Sequence, residues 1–94
     1  MTETLHAQLQ ARAALIARLQ RCVVKALRLD LDPTDIDPNT ALFGAGLGLD
    51  SIDTLELVLE IEDAFKIDGA LIDADQYTLR NLNTLADLLE RQAR

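Results

Sequence analysis

One hydroxyl stands out among the side chains able to do chemistry. Ser51 is the only serine of the chain and sits where a glycine-bearing stretch meets an acidic one. A nucleophilic serine needs a base, and the single histidine, His6, lies far away in sequence, so no Ser-His-Asp set is evident. The ordinary role of such a serine is to cap the helix that follows. His6 reads as a solvent-facing helix residue. Cys22, the lone cysteine, has no disulfide partner and reads as a small packing residue. Asp30, Asp32, Asp35 and Asp37 invite a calcium reading, but a calcium loop needs Gly at its sixth place and Glu at its twelfth. Counting from Asp30 those places hold Asp35 and Ala41, and from Asp35 they hold Thr40 and Gly46. Both registers fail, which leaves turn residues beside Pro33 and Pro38. Gly44, Gly46 and Gly48 lack the preceding strand and following Lys of a phosphate loop.

Composition narrows the classes further. The chain has 94 residues, nine basic and sixteen acidic, for a net charge of −7. That length holds one domain. Excess acid disfavours nucleic acid and anionic membrane surfaces as partners. With 49% hydrophobic residues the chain can bury a core, and with 3% aromatic residues that core must be aliphatic. No run of about 18 apolar residues is present to span a bilayer. A cytoplasmic protein without membrane insertion is the expectation.

The elements that position Ser51 follow from periodicity. Thr2 to about Leu29 contains no Gly or Pro, and Leu5, Leu9, Ile16, Leu19, Val23 and Leu27 recur at helical spacing along one face. A long loop follows from Asp30 to Asp50, with Ile36, Leu42, Phe43, Leu47 and Leu49 available to pack it down. Ser51 to Lys66 reads as helix, with Gly69 as its stop signal. Asp73 to Gln76 reads as the cap of one short helical turn reaching Tyr77 or Leu79. A last helix starts at Asn83 or Thr84. Three main helices and a short one make an all-α four-helix bundle, a single domain over residues 1–94.

The helix after Ser51 carries two apolar stripes. At about 100° per residue, Leu57, Val58, Ile61, Ala64 and Phe65 share one arc with Thr54, enough to face a core. Ile52, Leu55 and Leu59 fall on another, between Glu62 on one side and Asp53, Glu56, Glu60 and Asp63 on the other. Either the helix is buried on two sides, or the second stripe is a partner-binding surface. Carboxylates so close to it would be expensive to bury, which favours the partner.

The string GLGLDSIDTLELVLEIEDAF, Gly46 to Phe65, resembles the signature of acyl carrier proteins. That signature has an Asp-Ser-Leu centre, an acidic helix and an aromatic residue at its end. Here these are Asp50-Ser51-Ile52, then Glu56, Glu62, Asp63 and Phe65. The resemblance extends from about Leu15 to Ala93 and includes the proline-bearing loop from Pro33 to Phe43. It implies that Ser51, flanked by Asp50 and Ile52, receives 4′-phosphopantetheine from coenzyme A through a separate phosphopantetheinyl transferase using Mg²⁺. The thiol of that arm then carries acyl groups as thioesters, and the protein itself catalyses nothing.

The implied partners are the transferase, an acyl-loading ligase or transacylase, and a ketosynthase or other acyl-processing enzymes of fatty-acid, polyketide or related specialised lipid synthesis. Asp53, Leu55, Glu56, Leu59, Glu60, Glu62 and Asp63 would form the docking face, and Gly46 and Gly48 would let the loop yield to a visiting enzyme. A monomer is expected. Residues 1–12 precede the usual start of the first helix and form an N-terminal extension of it. FKIDGALIDADQY, after the acidic helix, lacks the Ile-Pro common in bacterial fatty-acid carriers, which points toward a specialised pathway. A peptidyl or aminoacyl carrier, or an unmodified acidic interaction domain, is the alternative.

Overall fold

The computed structural model describes residues 2–42, 46–72 and 79–92. Three α-helices make up the frame: α1 (Thr2–Leu27), α2 (Ser51–Phe65) and α3 (Leu82–Gln92). Short 3-10 turns lie at Pro33–Asp35 and Gly69–Ile72, and no strand occurs among the described residues. The short helix expected from Asp73 begins outside the described residues, as do Phe43 and Tyr77.

Packing follows the expected periodicity for most of α1. Leu19 and Val23 are wholly buried, and they meet Leu57 and Ile61 of α2 and Leu82, Leu85 and Ala86 of α3 in one aliphatic core. Each such Leu, Ile or Val side chain contributes about 1.5–3 kcal/mol when fully buried. Leu5 and Leu9 depart from expectation. They continue the Leu19–Val23 stripe toward the N-terminus yet stand 57% and 61% exposed, because the described part of the bundle does not reach the first turns of α1. Arg12 is the residue that ties this half of α1 to α3. Its guanidinium meets Asp87 at 2.9 Å and Glu90 at 3.0 Å, and donates to the carbonyl of Asn83 at 3.0 Å. Burial works against the Arg12 charge, but hydrogen bonds and charges from Glu90 and Asp87 outweigh it and raise the pKa.

The helix ends differ from the sequence reading by one or two residues, each for a local reason. Lys66, not Gly69, ends α2: it takes the left-handed conformation (φ 55°), and its amide donates to the Glu62 carbonyl. Gly69 instead begins a 3-10 turn, where a Cβ would lie 2.6 Å from the Glu62 carboxylate. The third helix begins at Leu82 because Asn81 caps it, its side-chain oxygen accepting from the Thr84 amide at 2.9 Å.

The long loop is anchored at both ends. Gln20 of α1, itself buried, donates to the Ile36 carbonyl at 2.7 Å. Leu42 is fully buried and donates its amide to the Arg80 carbonyl, while Leu49 donates back to Leu42. The acids that resembled calcium ligands make turns: Asp32 accepts from both the amide and hydroxyl of Thr34, and Asp37 from the amide of Asn39. The backbone hydrogen bond from Thr34, then its hydroxyl, holds the Asp32 carboxyl below its ordinary pKa.

Candidate functional site

Ser51 is the first residue of α2 and does not cap it. Asp50 does: its side chain accepts from the Asp53 amide at 2.8 Å, and the Asp53 carboxylate accepts from the Asp50 amide at 3.3 Å. This reciprocal capping box satisfies the turn without the serine. Thr54 completes it by donating its hydroxyl to the Asp50 carbonyl. The Ser51 side chain is exposed, and its hydroxyl has no hydrogen-bond partner among the described residues.

The approach to Ser51 is held by specific backbone needs. Gly48 takes φ 69°, a conformation that glycine adopts without strain. Gly46 packs so closely on the Ala41 carbonyl that no Cβ fits there, and the neighbouring Leu47 amide donates to that carbonyl at 2.9 Å. These glycines therefore serve the backbone geometry of the loop. With Leu49 buried just before Asp50, the loop delivers Ser51 to the surface.

The amides of Ser51 and Ile52 are the first of the helix and have no intrahelical acceptor. Together with the helix dipole they favour a negative group at this end. A phosphodiester on the Ser51 oxygen would thus displace no packed atom and break no hydrogen bond of the described residues. The residues present fit a phosphate-linked arm.

Both predicted stripes of α2 are found on their expected sides. Leu57 and Ile61 are buried, with Val58, Ala64 and Phe65 packed against the core. Ile52, Leu55 and Leu59 stand 68%, 59% and 53% exposed, which excludes a helix buried on two sides among the described residues.

The carboxylates along that stripe divide into two groups. Glu60 turns toward α1 and meets Lys25 at 3.0 Å, and Glu62 accepts from the Gly69 amide at 2.5 Å. Asp53 belongs to the capping box. Glu56 and Asp63 face solvent, Asp63 with only a loose 3.6 Å pairing to Lys66. Periodicity alone could not separate these groups, since the partners Lys25 and Gly69 come from other elements.

Other residues singled out in the sequence lie apart from Ser51. His6 is exposed on α1. Cys22 is buried, and its burial, reinforced by the Glu60 charge, pushes its thiol pKa up and keeps it unreactive. No cluster able to hold a metal ion occurs among the described residues. None of the described helices is long and apolar enough to cross a membrane. Sequence reasoning missed Arg18, which donates to the Ala64 carbonyl at the end of α2 at 2.8 Å and stacks 4.0 Å over the Phe65 ring. Their separation of 46 positions gave no signal for that pairing.

Comparison with known proteins gives this geometry a context. The family model described as "Phosphopantetheine attachment site" matches residues 17–89. An acyl carrier protein of Onion yellows phytoplasma (strain OY-M) is 44% identical over 64 residues, 68% of this chain and 76% of that protein. An acyl carrier protein of Phaeodactylum tricornutum is 34% identical over 74 residues, 79% of this chain and 91% of that one. The chloroplastic acyl carrier protein 4 of Cuphea lanceolata is 32% identical over 82 residues, 87% of this chain and 55% of its own length. No solved structure matches the chain significantly. The prosthetic group of the matched family is phosphopantetheine, and its members are carriers, not catalysts. An all-helical fold, a family match over most of its length and a relative 44% identical over 64 residues place this chain in the acyl carrier protein family.

Proposed function

We propose that Ser51 is the residue that carries 4′-phosphopantetheine, added from coenzyme A by a separate phosphopantetheinyl transferase. The observation carrying this is an exposed, unbonded hydroxyl at the first position of α2 whose capping duty is discharged by Asp50 and Asp53. An unmodified interaction domain would need Ser51 only as a cap, and that role is already filled. The attached group supplies a thiol that holds acyl chains as thioesters.

This chain's own part is to seat and present that group. The first α2 amides and the helix dipole favour the phosphate, Gly46 and Gly48 hold the loop that leads to it, and Asp50 and Ile52 flank it. Ile52, Leu55 and Leu59, bordered by Glu56 and Asp63, form the surface on which acyl-loading ligases, transacylases, ketosynthases and the transferase dock in turn. Asp53, Glu60 and Glu62 support that face from within the fold.

In the same reading the chain is a single carrier domain over residues 1–94, a monomeric four-helix bundle in the cytoplasm with residues 1–12 as an extension of α1. Its cargo is an acyl intermediate of fatty-acid, polyketide or a related specialised lipid synthesis. The test is direct: incubate the apo protein with coenzyme A, Mg²⁺ and a broad-specificity transferase, then weigh it. One phosphopantetheine is gained by the native chain and none by Ser51→Ala. Absence of any gain, or gain by the variant, overturns the assignment.

A further inference from the structure

Three of the nine Lys and Arg residues of this acidic chain, Arg18, Arg21 and Lys25, fall within an arc of about 60° on α1, and a fourth, Arg28, follows just past its end. All four are exposed, the three on α1 on the side away from the buried Leu19 and Val23. Two have structural partners, Arg18 at the end of α2 and Lys25 at Glu60. The hydrogen bond and charge of Glu60 raise the Lys25 pKa. Arg21 and Arg28 have no ion pair or hydrogen bond among the described residues. A cation in the last turn of a helix is explained by its dipole, which accounts for Lys25 but not for Arg21 a turn earlier.

This strip adjoins the surface of α2. A groove of about 270 Å³, lined by Arg18, Arg21, Cys22, Lys25, Glu60 and Ala64, runs between the two helices. Beyond Glu60 come Glu56 and Asp63, then Ile52, Leu55 and Leu59. One continuous face thus passes from basic to acidic to apolar.

We infer that a protein docking on α2 also covers this strip of α1, placing there an acidic segment next to the basic patch that meets Glu56 and Asp63. The inference rests on the reading of α2 as a docking face and extends it across the groove. Adjacent strips of opposite sign fix the direction in which a partner sits, since a partner reversed in place would set like charge against like. An anionic lipid surface suits the strip less well. Its arc holds Ala14 beside the cations but no large apolar side chain to enter a bilayer, and a chain of charge −7 is repelled by such a surface.

The experiment uses the full chain, isotopically labelled for amide NMR, at about 10 mM salt, where charges act over about 30 Å. The probes are deca-glutamate, deca-lysine, and vesicles of phosphatidylcholine and phosphatidylserine. Deca-glutamate is expected to shift amides between residues 18 and 28, and deca-lysine those between 53 and 63. Both effects fade at about 150 mM salt. Replacing Arg21→Glu together with Arg28→Glu should weaken deca-glutamate binding at least tenfold and leave deca-lysine binding in place. Circular dichroism checks that the variant is folded, and Arg21→Gln with Arg28→Gln replaces it if it is not. Deca-glutamate that misses the strip, or binds the variant equally well, overturns the inference while leaving α2 untouched, as do vesicles that perturb the strip where the peptide does not. Deca-lysine that misses α2 overturns the docking face itself, and the shared footprint with it.

Discussion

The starts of α2 and α3 are built alike and used differently. Asp50 and Asp53 cap α2 by exchanging hydrogen bonds, and Asn81 and Thr84 do the same for α3, the Thr84 hydroxyl accepting from the Asn81 amide at 3.1 Å. The first residue after Asn81 is Leu82, wholly buried, whereas the first two after Asp50 are Ser51 and Ile52, both exposed. Two helices with equivalent caps thus turn their opening residues in opposite directions. Capping and presentation are separate tasks, and at α2 they fall to neighbouring residues.

The largest effect expected from that separation is at Ser51. Ser51→Ala should abolish gain of phosphopantetheine altogether and change stability by no more than about 0.5 kcal/mol, because no cap is lost. A large loss of stability on urea unfolding would show that the hydroxyl has a structural duty and would undo the contrast. Next comes the pair of opening apolar residues. Leu82→Ala should cost about 2–5 kcal/mol, as expected for a truncated core leucine, while Ile52→Ala should stay within about 0.5 kcal/mol. Equal costs at the two positions would mean that Ile52 is covered in solution.

Much of this contrast is legible in the sequence. The two stripes of α2 follow from spacing alone, since burial on a helix repeats with its turn, and the exposure of Ile52, Leu55 and Leu59 agrees with the acids around them. The place of Ser51 at a loop-to-helix junction was equally plain. Its duty there was not: a serine and an aspartate side by side both suit a cap, and only the backbone register shows Asp50 holding it. Leu5 and Leu9 misled for a related reason. Periodicity reports which face is apolar, and nothing local reports whether another element lies opposite. Glu60 and Glu62 were illegible as support residues because Lys25 is 35 positions away and Gly69 acts through its backbone.

The caps themselves offer a finer test. Asp50→Ala and Asn81→Ala should each cost about 1 kcal/mol, the usual worth of an N-cap. If the α2 start is also the seat of the prosthetic group, Asp50→Ala should slow modification of Ser51 in addition, whereas Asn81→Ala should not. A rate unchanged by Asp50→Ala would mean that the transferase orders this turn for itself.

The smallest effects are expected along the outward side of α2, where charges are solvated and each pair contributes under about 1 kcal/mol. Reversing Glu56 and Asp63 to Lys should slow modification by the transferase a few fold at low salt, the difference shrinking at about 150 mM as screening sets in. Glu60→Gln removes a carboxylate from the same helix but one already paired with Lys25, so it should leave the rate alone and lower stability slightly. Should Glu60→Gln slow modification as much as the double reversal, partners would be reading the summed charge of the helix, and the division between supporting and presented carboxylates would have no functional meaning.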